Sequence, residues 1–147
     1  MLIQIKGQKQ IPGVKIRDLR KRLKSALDAL GYKRGELSIL ITDDERIREL
    51  NRKFLRRDRP TNVLAFPMQG EDIKGPYPVL GDIVISVDTA IKEAERYGMG
   101  IETYVVRLLI HGLLHLLGYD HERGKAEEEE MLKEEERILK IIYKEEV

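Results

Sequence analysis

Between Ile101 and Leu117 the chain reads IETYVVRLLIHGLLHLL, and winding those residues at 3.6 per turn leaves apolar side chains on almost every side. A helix that is hydrophobic all round has to be buried. It falls short of the roughly 20 apolar residues that cross a bilayer, as does every other stretch, so no membrane is expected as a partner. Its expected place is the centre of a core with other elements packed around it. The rest of the chain can supply them: 41% of the 147 residues are hydrophobic. A single domain spanning 1–147 would bury roughly 70% of its unfolded surface.

Periodicity and punctuation supply the elements that enclose this helix. Residues 2–6 alternate like a short strand, and Pro12-Gly13 breaks the chain before an amphipathic helix from about Ile16 to Leu30, with Gly31 as its C-cap. Its apolar stripe is Ile16, Leu19, Leu23, Ala26, Leu27 and Leu30, while Lys15, Arg17, Arg20, Lys21, Arg22 and Lys24 form a basic outer face. Residues 37–42 form the next strand, and Asp43 or Asp44 caps a helix to about Phe54. After a charged turn from Arg56 to Thr61, residues 62–66 read as a strand stopped by Pro67, Gly70 to Pro78 as a loop, and residues 81–86 as a further strand. Ser86 or Asp88 opens a helix to about Tyr97, and Gly98 and Gly100 separate it from the apolar helix. An acidic helix follows Gly124, with Met131, Leu132, Ile138, Leu139, Ile141 and Ile142 for its buried side and Glu127 to Glu130 in a solvated first turn. The fold class this predicts is α+β, a small mixed β-sheet covered by about five helices, with the histidines on the central buried one.

The absence of cysteine removes disulfides, thiolate metal ligands and cysteine nucleophiles together, and it fits a reducing cytoplasm. The opening MLIQIKGQKQ has no apolar run of signal-peptide length, which points to the same cytoplasmic location. The net charge of +1 conceals a division: residues 1–60 carry 17 Lys and Arg against 8 Asp and Glu, and the remainder carry 10 against 18. A basic part joined to an acidic part suggests a polyanionic partner, with merely solvated helix faces as the ordinary alternative.

All three histidines lie within the eleven positions of His111-Gly112-Leu113-Leu114-His115-Leu116-Leu117-Gly118-Tyr119-Asp120-His121. Histidines four apart on a helix project from one face and can meet one ion at about 2.0–2.1 Å. Gly118 can take the left-handed conformation without a Cβ penalty, turning the chain so that His121 reaches the same ion from beyond the helix end. Three imidazoles leave a fourth position for a water whose pKa zinc lowers to about 7, as catalytic sites do. One Zn2+ is the expected cofactor, although such sites accept several first-row ions. The plain alternative is a pair of core histidines satisfied by carbonyls, beside an incidental His121. Asp120 is a candidate to orient a ligand imidazole, or else a cap for the turn. Tyr119 and Phe66 are candidates to stack on a base, or else core residues.

The spacing matches the three ligands of metzincin peptidases, but Gly112 stands where those enzymes carry their general-base Glu, which counts against peptide hydrolysis. As a whole, HGLLHLLGYDH resembles the signature His-Gly-x-Leu-His-Leu-x-Gly-Tyr-Asp-His of the bacterial YbeY endoribonucleases. Leu50-Asn51, the run from Asp58 through Pro60-Thr61-Asn62-Val63-Leu64 to Pro67, and Leu80-Gly81-Asp82-Ile83 resemble that family's further blocks in the same order. The resemblance implies a metal-dependent endoribonuclease specific for single strands, acting in ribosomal RNA processing, notably at the small-subunit 3′ end, and in ribosome quality control. Its partners would be single-stranded RNA, ribosomal RNA and the small ribosomal subunit, with the basic first part positioning the phosphate backbone. One block departs. The family's Tyr-Arg-Gly-Lys-Asp, whose Arg is implicated in activity, is here Phe54-Leu55-Arg56-Arg57-Asp58. Leu55 at the Arg position makes Arg56 and Arg57 the candidates for contacting phosphate, and Arg56 the candidate for catalysis; both are otherwise ordinary surface arginines. Two rivals stand beside this reading: a metzincin-like peptidase, and a non-catalytic ribosome-binding module that zinc merely stabilises.

Overall fold

A computed structural model describes residues 1–68, 75–119 and 124–144. Strands β1 (Leu2–Gly7), β2 (Glu36–Thr42), β3 (Val63–Pro67) and β4 (Val79–Ser86) make one sheet in the order β1-β2-β4-β3. The first, second and fourth run parallel and β3 is antiparallel to β4. Helices α1 (Ile16–Ala29), α2 (Asp44–Leu55), α3 (Val87–Arg96), α4 (Ile101–Leu116) and α5 (Lys125–Lys144) complete the mixed α+β architecture that the sequence predicts. Among the described residues no helix is long and apolar enough to cross a membrane.

The sheet register sets Ile3 beside Leu37, Ile39 beside Ile83, Ile41 beside Ile85 and Ala65 beside Ile83. Because side chains alternate along a strand, these fall on one face, and branched side chains pack well on its pleats. That face meets Leu19, Leu23 and Leu27 of α1 and Val105, Leu109 and Leu113 of α4 in the main core, joined by Met131, Ile138 and Ile142 of α5. On the other face a smaller core forms where Ile47 and Leu50 of α2 pack on Leu40, Leu64, Val84 and Phe66. Asp43 caps α2 by accepting the Arg46 N–H at 2.8 Å. The Asp44 carboxylate accepts the hydroxyls of Ser86 and Thr89, both at 2.6 Å, and so ties the start of α2 to the start of α3.

After its first turn α4 is buried at every residue except Arg107, His111 and His115. These three are four apart and make one strip on an otherwise enclosed helix. The rest of the fold serves to cover the remaining sides.

Several expected faces differ in the structure. Arg22 does not belong to an outer basic face. It is buried, donating to the Ile142 carbonyl at 3.0 Å with its guanidinium 4.3 Å over the Tyr143 ring, because α5 lies across that side of α1. Ile16 and Leu132, read as buried, are exposed at the ends of their stripes. At the end of α1 the closing glycine stands where the sequence puts it: Gly31 follows the cap residue Leu30 at φ +88°, and the Tyr32 N–H donates to the Leu27 carbonyl at 2.8 Å. Pro67 is the last residue of β3, paired with Gly81, at the sheet edge where its missing N–H costs no ladder bond.

The pairing of β2 with β4 shifts register between Glu36 and Leu37, whose partners are Val79 and Gly81, so Leu80 is the extra residue of a bulge. Gly81 there has φ +137°, and a Cβ would stand 2.3 Å from the Phe66 carbonyl oxygen. Gly81→Ala should therefore cost at least about 2 kcal/mol of stability, from backbone strain and the clash together. Urea unfolding measures it, and a change below about 0.5 kcal/mol would show that β3 is free to retreat.

Candidate functional site

The strip on α4 faces a cleft of about 1360 Å³ walled by α4, the turn after α2, the end of α3 and one side of α5. His111 and His115 both line it, with ring centroids 4.9 Å apart and planes at 74°. Immediately beyond them α4 closes as the sequence predicts: Gly118 has φ +100°, its N–H donates to the His115 carbonyl at 3.1 Å, and the Tyr119 N–H donates to that of Leu114 at 3.0 Å. This is a Schellman closure, which turns the chain away from the helix axis. His121 and Asp120 lie outside the described residues. Among the described residues, no three His, Asp or Glu side chains gather around one metal position.

Helix α5 contributes a group that the sequence reading missed. Glu135 Oε1 makes a close contact with His111 Nδ1. A carboxylate on one ring nitrogen fixes the tautomer, so Nε2 is the atom through which His111 would coordinate an ion. The signal was present in the sequence: Glu135 stands four residues from both Met131 and Leu139, on the buried stripe of α5. Two imidazoles on one helix face, one of them oriented by a carboxylate, form a donor set that fits a borderline-soft divalent ion such as zinc.

Gly112 also explains why no acid follows His111. A Cβ at this position would stand 3.1 Å from Ile83 Cγ2 and 3.4 Å from Val63 Cγ2, so its side chain would be driven into the sheet. The metzincin arrangement has no room here.

A second set of groups comes from the turn after α2. Asn51, only 2% exposed, donates from Nδ2 to the Arg59 carbonyl at 2.9 Å, and its backbone carbonyl accepts the Arg57 N–H at 3.2 Å. Arg48 grips Asp58 through two bonds, Nε to Oδ1 at 2.8 Å and Nη2 to Oδ2 at 3.3 Å, which holds the Asp58 carboxyl below its ordinary range. The turn so braced presents Arg57 and Arg59 to the cleft. Arg56 is not on its walls: it is the C-cap of α2, at φ 57° and ψ 33°, in the left-handed conformation that suits the Gly of the family pattern. Leu55 lines the cleft and is 45% exposed. Of the two arginines expected at the site, then, the turn delivers Arg57 and adds Arg59. The basic residues of α1 do not line the cleft.

Near the end of α3, Glu93 Oε1 accepts from the Tyr104 hydroxyl at 2.8 Å and from Asn62 Nδ2 at 2.9 Å. Burial, then the Glu93 carboxylate, push the Tyr104 phenol up, so it stays a neutral donor. Tyr119 lines the cleft, whereas Phe66 packs edge to face on Phe54 at 5.4 Å and does not.

The model of the family described as Endoribonuclease YbeY matches residues 3–143. The chain belongs to the YbeY family. A relative from Aquifex aeolicus, named Endoribonuclease YbeY, is 45% identical over 144 residues, covering 98% of this chain and 92% of its own. One from Geobacter sulfurreducens with the same name is 44% identical over 144 residues, covering 97% and 96%. A solution structure of a Thermotoga maritima protein superposes with a TM-score of 0.71 at 28% identity, covering 98% of this chain and 91% of that one. The Asn-containing and Pro-Thr-Asn-Val-Leu blocks of the YbeY pattern are thus the ones that here brace and follow the arginine turn.

Asn51→Ala removes that brace. It should cost about 1 kcal/mol and speed amide exchange across residues 56–61. Exchange at the wild-type rate would assign the turn's order to Arg48 and Asp58 alone.

Proposed function

We propose that this protein is a zinc-dependent endoribonuclease that cuts single-stranded RNA in the cytoplasm, and that it serves ribosomal RNA processing at the small-subunit 3′ end and ribosome quality control. The observation that carries this reading is one cleft presenting His111 and His115 beside Arg57 and Arg59, imidazoles for a cation and guanidiniums for a phosphate backbone. The name carried by the Aquifex and Geobacter relatives supports RNA as the substrate.

In this proposal His111, His115 and His121 hold the ion. Zinc when bound supplies a Lewis acid that polarises a phosphoryl oxygen and offsets the charge that develops there. The chain's own groups do the rest. Arg57 and Arg59, presented by the braced turn, hold the backbone on either side of the scissile phosphate. Glu135 keeps His111 in one tautomer. The volume of the cleft suits an unpaired strand rather than a small metabolite. Against the peptidase rival stands Gly112, whose position cannot supply a general base.

Cleavage of a labelled single-stranded RNA by purified protein tests the proposal, beside His115→Ala and a chelated sample, with bound metal quantified in each. Loss of zinc and cleavage together in both controls is expected. Zinc-loaded wild type that leaves RNA intact, with His115→Ala losing only zinc and stability, would overturn it in favour of the binding module. Glu135→Gln should weaken zinc by about 10- to 100-fold in a competition titration with a chelating dye. An unchanged affinity would remove Glu135 from the site.

A further inference from the structure

We propose that Tyr97 is a platform on which one unpaired nucleobase of the bound strand stacks, an inference that rests on the endoribonuclease reading of the cleft. Tyr97 is the C-cap of α3, its N–H donating to the Glu93 carbonyl at 3.0 Å, and the Met99 N–H closes the helix end on the Ala94 carbonyl at 2.9 Å. The point from which the ring projects is therefore fixed. The ring lines the same cleft as His111 and His115, yet the residue is 59% exposed.

What props the ring is equally defined. Its centroid lies 5.9 Å from that of Tyr104, with the planes tilted by 42°. Tyr104 is buried and tied through its hydroxyl to Glu93, which Asn62 also holds. Tyr104 lies seven residues before His111, nearly on the same face of α4 and about 10 Å along its axis. Tyr97 thus offers a ring supported on one side and wet on the other, beside the candidate metal ligands.

Charge decides which part of the strand belongs there. The Glu93 carboxylate under this end repels phosphate, Arg107 is engaged by Glu136 at 2.9 Å, and Arg96, next to Tyr97 in the chain, does not line the cleft. Phosphates are better placed at Arg57 and Arg59, which leaves the ring for a base. Every base has a π-face, so such a platform reads no sequence, and it selects for strands whose bases are not already paired and stacked.

The chain has no tryptophan, so Tyr97→Trp installs a lone reporter. Binding of a cleavage-resistant, backbone-modified single-stranded RNA to the zinc-loaded protein is measured by anisotropy and by that fluorescence. Tyr97→Ala should weaken binding on the order of tenfold, as loss of one stacked base does, Tyr97→Phe should keep wild-type affinity, and the Tyr97→Trp variant should be quenched by RNA. In a series of oligonucleotides with single abasic positions, one position should weaken the wild type and not Tyr97→Ala. Equal affinity of Tyr97→Ala and wild type, with melting temperatures matched, would overturn the platform and leave the ribonuclease reading standing. A wild type that neither binds nor cleaves RNA would overturn both.

Discussion

At position 112 helix α4 runs so close to the sheet that a methyl group there would lie 3.1 Å from Ile83 Cγ2, with Val63 just beyond. That approach sets the depth of α4, and the depth sets almost everything else. With the sheet on one side and α1, α3 and α5 around it, the helix beyond its first turn leaves only the strip of Arg107, His111 and His115 partly exposed, and that strip lies on the cleft. Interiors pack as densely as organic crystals, so a side chain anchored on such a helix has little freedom to wander. The candidate ligands inherit the rigidity of the core, whereas the arginines opposite the core stand on a turn that needs its own bracing from Asn51 and Asp58.

What the sequence made legible was local. The all-round hydrophobicity of residues 101–117 pointed to the central helix, the three-and-four spacing of Leu19, Leu23 and Leu27 to the stripe of α1, and Gly118 to the turn after His115. What it concealed depends on partners distant along the chain. Arg22 looks like any other cation of a basic helix until α5 covers it, and nothing near position 22 announces a carbonyl at Ile142. Glu135 was hidden differently, by company: it is one carboxylate in an acidic helix, distinguished only by sharing the stripe of Met131 and Leu139. Arg56 shows a limit of pattern transfer. It fills a position whose backbone favours glycine, so conformation rather than charge decides its place, and Arg57 and Arg59 reach the cleft instead.

The basic surplus of the first 60 residues turns out to be dispersed rather than pooled. Lys9 is paired with Asp88, Arg46 with Glu49 and Arg48 with Asp58, while the α1 cations are turned away from the cleft walls. Exposed pairs of this kind contribute little to stability, and only Lys9 draws on an acid from beyond residue 60, Glu49 and Asp58 being counted already in the surplus. Among the described residues the cations on the cleft walls are Arg57, Arg59 and Arg107, which makes their placement matter more than the total.

The seating of α5 draws on both ends of the chain. Its grip on α1 runs from Arg22 to the Ile142 carbonyl, a separation of 120 residues, and the same helix carries the carboxylate that meets His111. Polypeptides are made from the N-terminus onward, and contacts between distant segments cannot form until both exist. Both histidines of α4 emerge well before Ile142 does. A chain still in synthesis therefore lacks the side of the cleft that Leu132 and Glu135 supply and the carboxylate that meets His111, and the grip on Ile142 that seats their helix is the last of these to become available.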